Sequence, residues 1–260
     1  RDRYIISNKQ VTKDLDDHFN QEDIDRFDKE MLGKMGYYPD TYFGLKYVDN
    51  EYAKFKKSAQ KGVNFLVKEF EMKKSADAYA RTAISKTGVL DTSKLHTYKF
   101  NEDIFKKINI VPDGKNHGLI FILDWSGSMS RCLLNTVKQL FELVWFCQKV
   151  QIPFDVYAFS TQYEASRSYR YDITEDAKVG ELVVGSDFSL LHFLSSSVKK
   201  KNMDSQLLNL WRLSYTLSNR GAQFKYPEKY WMGGTPLNET FVCLHPVSYT
   251  HLRAHETVKN

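Results

Sequence analysis

Cysteine is scarce in this sequence, with only three cysteines in 260 residues. Cys132, Cys147 and Cys243 make neither a disulfide framework nor the paired spacing of a zinc site. Apolar runs of membrane-spanning length are missing, and the sequence does not open with a signal peptide. There is also no His-Glu zinc motif, phosphate-binding loop or nucleophile elbow. These absences argue against a disulfide-rich secreted protein, a membrane protein and a self-sufficient hydrolase, so we expect a cytoplasmic protein.

The composition is that of a folded globular protein. Hydrophobic residues make up 42% and charged residues 27% of the chain, which is ordinary for domains with an apolar core. A chain of 260 residues has room for one large domain, or for one domain and an appendage. The formal net charge of +5 permits a polyanionic partner without arguing for one. We interpret the lysines of residues 54–74 and 199–201 as solvated surface.

One stretch joins a buried strand to a polar loop and organises the rest of the chain. The apolar run Leu119–Leu123 is too short for a helix and is typical of a strand buried on both faces of a parallel sheet. Asp124, Ser126 and Ser128 follow at alternate positions, and in near-extended chain alternate side chains point the same way. Carboxylate and hydroxyl oxygens are hard donors, which suit Mg²⁺ or Mn²⁺ rather than zinc. The amphipathic run Leu133–Val150 predicts a helix next, and open α/β sheets bind ligands at such strand-to-helix loops.

The Asp-x-Ser-x-Ser pattern resembles the metal-ion-dependent adhesion site of von Willebrand factor A (VWA) domains. A second element, Gly233–Leu237 (Gly-Gly-Thr-Pro-Leu), resembles the second metal loop of that family. The resemblance implies a metal site formed by Asp124, Ser126, Ser128 and the hydroxyl of Thr235. The structural alternative is an Asp that caps a helix and is followed by a serine-rich turn, which is common at strand-to-helix junctions.

The sequence divides into four predicted segments. Residues 1–50 form a polar amino-terminal segment, and residues 51–113 hold a long helix followed by a strand-like lead-in. Residues 114–245 form the amino-terminal portion of a VWA domain. Residues 246–260 resemble the translation of a sequencing-library adaptor, and we expect them to be an artefact.

Periodicity predicts individual elements within these segments. The long helix is predicted from Glu51 to about Lys86, with Gly88 as its carboxyl-terminal stop. The remaining predictions are listed in chain order: a strand at Phe154–Phe159, an edge strand at Glu181–Val184, a helix at Ser189–Ser197 and a helix at Ser205–Leu217.

Three further stretches resemble CobT-like proteins carried by T4-type tailed phages, which are related to the CobT subunit of aerobic cobaltochelatase. These are Ser75–Arg81, Thr87–Leu95 and Gly114–His117, and the whole resemblance covers residues 51–244. It implies a cytoplasmic subunit, not catalytic alone, that works with a ring-shaped AAA+ ATPase of the CobS or MoxR type. It also implies a nominal role in cobalt chelation for cobalamin biosynthesis, with a partner carboxylate as the protein ligand at the metal.

The sequence departs from the VWA pattern at the third metal loop, an Asp in a Thr-Asp-Gly-like context. The resemblance places this loop after the helix that begins at Leu237, where the adaptor-like segment stands instead. We therefore predict an α/β protein, a truncated doubly wound Rossmann-like VWA domain with a mostly parallel sheet, preceded by a helical amino-terminal segment. In the doubly wound order 3-2-1-4-5-6, losing strand 4 leaves the Leu119–Leu123 strand as an exposed edge. Lacking a carboxylate, this chain is expected to bind Mg²⁺ poorly.

Three functions are weighed against these patterns. The first is a metal-dependent binding subunit that couples an AAA+ ATPase to a substrate. The alternative is a phage structural or nucleic-acid-associated protein that reuses the VWA fold, although the charge does not argue for a nucleic-acid partner. A metal-dependent hydrolase is less favoured, because nothing near Asp124 in the sequence supplies a nucleophile or a second carboxylate.

Overall fold

The computed structural model describes residues 4–20, 22, 24–26, 29, 44–80, 83–100, 104–110, 118–161, 184–185, 187–218 and 225–245. The chain divides into two compact units, Arg1–Val63 together with His117–Asn260, and Asn64–Asn116. None of the described helices is long and apolar enough to cross a membrane. The adaptor-like segment 246–260, and the predicted strand Glu181–Val184 except for its last residue, lie outside the described residues.

The first unit is built on a mostly parallel sheet of four strands. Their order is β1 (Ile5–Ile6), β6 (Phe188–Ser195), β5 (Phe154–Thr161) and β4 (Leu119–Asp124). The pairs β1–β6 and β4–β5 are parallel, whereas β5 and β6 are antiparallel. The helix α3 (Leu133–Val150) connects β4 to β5, so the predicted β-α-β unit is confirmed. The protein is therefore a mixed α/β protein.

Among the described residues, the other continuous helices of more than one turn are α1 (Asn8–His18), α2 (Leu45–Ala80), α4 (Lys200–Leu217) and α5 (237–245). A side-chain cap and a left-handed residue define two of the helix ends. The Ser7 hydroxyl accepts a hydrogen bond from the Gln10 amide and caps α1. At the far end of α3, Gln151 adopts the left-handed conformation, with φ of 57°, that often closes a helix.

Aromatic side chains join three of these helices within the first unit. Phe55 of α2 stacks on Trp211 of α4, with ring centroids 5.4 Å apart. Trp145 of α3 lies 5.7 Å from Phe55 between centroids. The Trp211 indole also donates a hydrogen bond to the Val48 carbonyl, at 2.9 Å. This cluster stabilises the helical layer because large aromatic surfaces leave water together.

The second unit contains the end of α2 and a two-stranded hairpin of β2 (Ala83–Leu90) and β3 (Phe105–Ile110). The helix predicted to reach Lys86 therefore ends earlier, and the prediction that Gly88 stops it is wrong. Gly88 lies in β2, at an irregularity in strand pairing between Lys86 and Leu90, with φ of +75°. Glycine adopts this backbone conformation without strain, which suits a β-bulge.

The helix predicted at Ser189–Ser197 is wrong, because this stretch forms the strand β6. All of β6 except His192 is buried, so apolar side chains point to both faces of the sheet. A strand covered on both faces loses the alternation of apolar and polar residues that identifies a half-buried strand. The antiparallel ladder with β5 decides the conformation of this stretch.

The strand β4 lies at the end of the sheet order, and among the described strands it pairs with β5 alone. The exposed edge expected for this strand is therefore found in the described sheet. The interpretation of β4 as buried on both faces is wrong, however, because Leu119 is 40% and Ile122 is 41% exposed. The neighbouring strand β5 is buried along almost its whole length instead.

The amino-terminal segment belongs to the same compact unit as the sheet. Ile5 and Ile6 pair with Leu190 and Leu191 of β6. Beside them, the Asn8 side chain donates to the carbonyl of Phe193 at 2.9 Å. Two strand residues are too few to show a period in the sequence, which is why pattern reading missed this strand.

Candidate metal centre

The first predicted metal loop begins where β4 ends. Asp124 is the last residue of β4, and the following Trp125 amide donates to the Phe159 carbonyl of β5 at 3.2 Å. One carboxylate oxygen of Asp124 accepts the Ser126 amide at 3.0 Å, which orients the carboxylate. The hydroxyl oxygens of Ser126 and Ser128 lie 3.1 Å apart. The structure therefore brings these three predicted site residues together, with Ser126 in extended backbone and Ser128 in a 3-10 helix at Gly127–Arg131 rather than in the extended chain that was predicted.

The second predicted loop lies directly beside the first. Ser126 and Gly233 form a parallel β-bridge, and the Gly127 amide donates to the Gly233 carbonyl at 2.9 Å. The Gly233 amide in turn donates to the hydroxyl of Ser160, near the end of β5, at 2.9 Å. These bonds hold the second loop against the carboxyl ends of both β4 and β5.

Thr235 is exposed and lies two residues beyond Gly233. Its carbonyl accepts the Leu237 amide at 2.9 Å, at the start of α5. Since consecutive Cα atoms are about 3.8 Å apart, the Cα atom of Thr235 lies within about 8 Å of that of Gly233. The structure thus places Thr235 on the same rim of the sheet as Ser126. It shows direct contacts to the first loop for Gly233 rather than for the Thr235 hydroxyl.

The two serine hydroxyls are hydrogen-bonded to each other, at a spacing compatible with two ligands of one small divalent cation. Adjacent ligands in an octahedron with bonds of 2.0–2.1 Å are about 3 Å apart, and the Ser126 and Ser128 oxygens are 3.1 Å apart. Ser126 is only 2% exposed, whereas Ser128 is exposed, so the site has a closed side and an open side. Hard oxygen donors of this kind suit Mg²⁺ or Mn²⁺. Of the four oxygen donors predicted from the sequence, Asp124, Ser126 and Ser128 are joined by hydrogen bonds, whereas Thr235 has no described contact with them.

Two buried aromatic residues, Trp125 and Tyr230, connect the first loop to the amino-terminal helix. Trp125 is fully buried, and its indole nitrogen donates to the Tyr230 carbonyl at 2.9 Å. The Tyr230 hydroxyl donates to the Asp14 carboxylate of α1 at 2.8 Å, and Lys229 forms an ion pair with the same carboxylate. The amino-terminal helix is thereby connected to the metal loop through hydrogen bonds. Sequence reasoning missed this connection, since more than 200 residues separate Asp14 from Tyr230.

Two pKa values reflect this network. Burial raises the pKa of the Tyr230 phenol, and the hydrogen bond to Asp14 raises it further. Burial also acts to raise the pKa of Asp14. The hydrogen bonds from Lys229, Tyr230 and Gln10 outweigh that effect, so the pKa of Asp14 lies below its ordinary value. Asp14 is thus an ionised anchor for the residues behind the loop.

The described residues contain no group of three or more His, Cys, Asp or Glu side chains arranged to hold a metal ion. The candidate centre is of a different kind, with one carboxylate and three hydroxyls, so it depends on Ser and Thr oxygens. Comparisons with protein families, curated proteins and solved structures find no match to this chain.

Proposed function

We propose that this protein is a metal-ion-dependent binding module of the VWA type. Asp124, Ser126, Ser128 and Thr235 hold Mg²⁺ or Mn²⁺ at the carboxyl end of β4. The bound ion offers an open coordination position to an outside oxygen, for which a partner's carboxylate is the natural ligand. The observation that carries the proposal is the 3.1 Å separation of the Ser126 and Ser128 hydroxyl oxygens beside the Ser126–Gly233 bridge.

The sheet order supports the VWA-type assignment. Counting β4 as strand 1, the order β6-β5-β4 corresponds to 3-2-1 in the doubly wound arrangement 3-2-1-4-5-6, with β6 antiparallel to β5. In that arrangement ligands bind outside the carboxyl ends of the strands, at the point where the order reverses. Under this proposal the edge of β4 corresponds to that point, and the Asp124 loop follows at the carboxyl end of β4.

The proposal extends to the partner. The stretches Ser75–Arg81, Thr87–Leu95 and Gly114–His117 resemble CobT-like proteins, so the partner we propose is a CobS-like or MoxR-like AAA+ ATPase ring in the cytoplasm. In this role the protein is a non-catalytic subunit, nominally of a cobalt-chelating complex for cobalamin biosynthesis. The chain supplies the metal-dependent contact, and the ATPase supplies the energy.

Metal binding is tested by calorimetric titration of the whole chain with Mg²⁺ and with Mn²⁺. Because this site has a single carboxylate, we expect a dissociation constant in the range of about 10⁻⁴–10⁻³ M. Ser128→Ala removes one ligand oxygen and should weaken binding several-fold. Ser130→Ala, in the same turn but outside the Asp-x-Ser-x-Ser pattern, is the matched control and should leave the affinity unchanged. Equal affinities for both variants and the unaltered chain would rule out this site.

The partner is tested separately, by capture of a purified CobS-like ATPase on the immobilised chain in Mg²⁺ and in EDTA. We expect capture in Mg²⁺ only, and loss of capture on Asp124→Asn, which keeps an acceptor for the Ser126 amide but removes the charge. Mg²⁺ binding without capture would refute the ATPase partner and leave the metal centre in place. Capture that persists in EDTA would refute a metal-dependent contact.

A further inference from the structure

A cavity opens at the end of the sheet opposite the candidate metal centre. Its volume is about 940 Å³, and it lies beside Phe154, where β5 begins, and Ser196, which follows β6. A strand of eight residues such as β5 is about 23 Å long, so the cavity and the metal loop are separate sites. All of its lining residues lie in the first unit, on α2, the end of α3, the start of β5, the start of α4 and the adjoining loops. A cavity of this size is in the range that holds a small organic ligand.

Positive charge dominates the lining of the cavity. Four lysines contribute to it, Lys56, Lys57, Lys149 and Lys200, against one carboxylate, that of Asp204. The Lys56 ammonium pairs with Asp204 at 2.9 Å, which neutralises that carboxylate. Within the described part of the chain, Lys57 and Lys200 form no ion pair. Both are exposed and both face the cavity, so an anion there gains charge contacts without breaking existing ones.

The floor of the cavity is apolar. Phe154 and Met203, each 2% exposed, and Trp145, 5% exposed, line it together with Ile152 and Pro153. Free phosphate or sulfate would leave this surface unused, whereas a molecule with both an anionic group and an apolar body uses both parts. The first turn of α4 adds to the positive potential, because Lys199 at its start makes no capping hydrogen bond through its side chain.

We propose that this cavity binds an organic phosphate of mononucleotide size. The phosphate lies between Lys57 and Lys200, and the flat apolar body rests on Phe154, Met203 and the neighbouring loop. Lysine ammonium groups act as point charges that suit phosphate, and a base or similar ring suits an apolar floor. The site is independent of the metal centre, so either can exist without the other.

Calorimetric titration of the whole chain with AMP, in EDTA so that no divalent ion takes part, tests the proposal. Inorganic phosphate and adenosine are the two half-ligands. We expect AMP to bind at least about tenfold more tightly than either half, since only AMP contacts both the lysines and the floor. Lys57→Glu and Lys200→Glu should each weaken AMP binding at least about fivefold, through loss of a charge-assisted contact and added repulsion.

The matched controls are Lys61→Glu on α2 and Lys201→Glu on α4. These exposed lysines change the net charge equally but do not line the cavity. Unchanged AMP affinity in both controls, with weaker binding in the cavity variants, supports the site. Three outcomes would each overturn the proposal. AMP affinity could fall equally in all four variants, the unaltered chain could show no detectable AMP binding, or a single-stranded oligonucleotide could bind more tightly than AMP. Circular dichroism verifies that every variant is folded. If a glutamate variant at Lys57 or Lys200 is not folded, Lys57→Gln or Lys200→Gln, which only removes the charge, takes its place.

Discussion

Gly233 connects the two loops of the candidate metal centre, and its replacement by alanine is the sharpest test of that geometry. A methyl group on Gly233 would overlap the hydroxyl and carbonyl oxygens of Thr161 and would lie 3.0 Å from the Thr161 amide nitrogen. Two of these atoms belong to the backbone of β5, which cannot move without disturbing its strand pairing. We therefore expect Gly233→Ala to displace the second loop.

The cost of this displacement is estimated from two contributions. Overpacking at a well-packed site costs about 1–3 kcal/mol. Displacement of the loop also weakens the hydrogen bonds from Gly127 to the Gly233 carbonyl and from Gly233 to Ser160, both 2.9 Å. Each such bond contributes about 0.5–1.5 kcal/mol. The expected loss in the free energy of unfolding is about 2–4 kcal/mol, which lowers Tm by roughly 5–15 °C for a chain of this size.

The matched control is the neighbouring glycine. A methyl group on Gly234 would lie 3.4 Å from the Thr161 hydroxyl oxygen and 3.5 Å from its methyl carbon. Contacts of this length are ordinary or slightly tight, so Gly234→Ala should cost at most about 1 kcal/mol. Urea unfolding followed by circular dichroism compares the two variants, and calorimetry with Mg²⁺ measures the effect on the metal centre.

Gly233→Ala should weaken Mg²⁺ binding more than Gly234→Ala does, because only the first methyl group displaces the loop that leads to Thr235. If the two variants unfold at the same urea concentration, Gly233 does not approach Thr161 as closely as the structure places it. If Gly233→Ala is destabilised but binds Mg²⁺ normally, the second loop contributes no ligand, and the proposed role of Thr235 is wrong.

Three further predictions concern the support of the loop and the sheet edge. Trp125→Phe should cost about 1–3 kcal/mol in urea unfolding, because the buried Tyr230 carbonyl loses its 2.9 Å donor; an unchanged midpoint would contradict this. The lowered pKa of Asp14 stabilises the fold above the ordinary pKa of 3.8, and this stabilisation is lost as the pH falls through the folded value. The unaltered chain should therefore lose more stability than Asp14→Asn between about pH 5 and about pH 2, and parallel acid profiles would refute the anchor. Ile122 on the β4 edge is 41% exposed, and Ile122→Lys should reduce self-association measured by light scattering, because a lysine on an edge strand opposes strand pairing between molecules. The free energy of unfolding should change by no more than about 1 kcal/mol. Undiminished association would mean that the β4 edge does not cause it.

The amphipathic helix α3 and two short apolar strands were predicted from the sequence. The α3 prediction, Leu133–Val150, agrees with the structure at both ends, and the strands beginning at Leu119 and Phe154 were both found. Ser189–Ser197 was assigned wrongly, because apolar residues on both faces of a strand leave no alternation to read. Long-range strand pairing decided the conformation of that stretch.

The candidate site was likewise predicted only in part from the sequence. The extended pattern predicted the approach of Asp124 to Ser126. Ser128 meets Ser126 through the turn of a 3-10 helix at Gly127–Arg131, which the pattern did not predict. The network through Trp125, Tyr230 and Asp14 could not be read from the pattern, because it joins residues remote in the chain.

The sequence by itself determined the donor types, their spacing, and the position of the first loop between a strand and a helix, since short-range periodicity encodes all three. Only the tertiary structure decided that Gly233 lies beside Ser126, that β4 is at an edge of the described sheet, and that Ile5–Ile6 completes the opposite edge. The physical reason is that strand order and loop contacts depend on hydrogen bonds and packing between distant segments, whose partners no local pattern specifies.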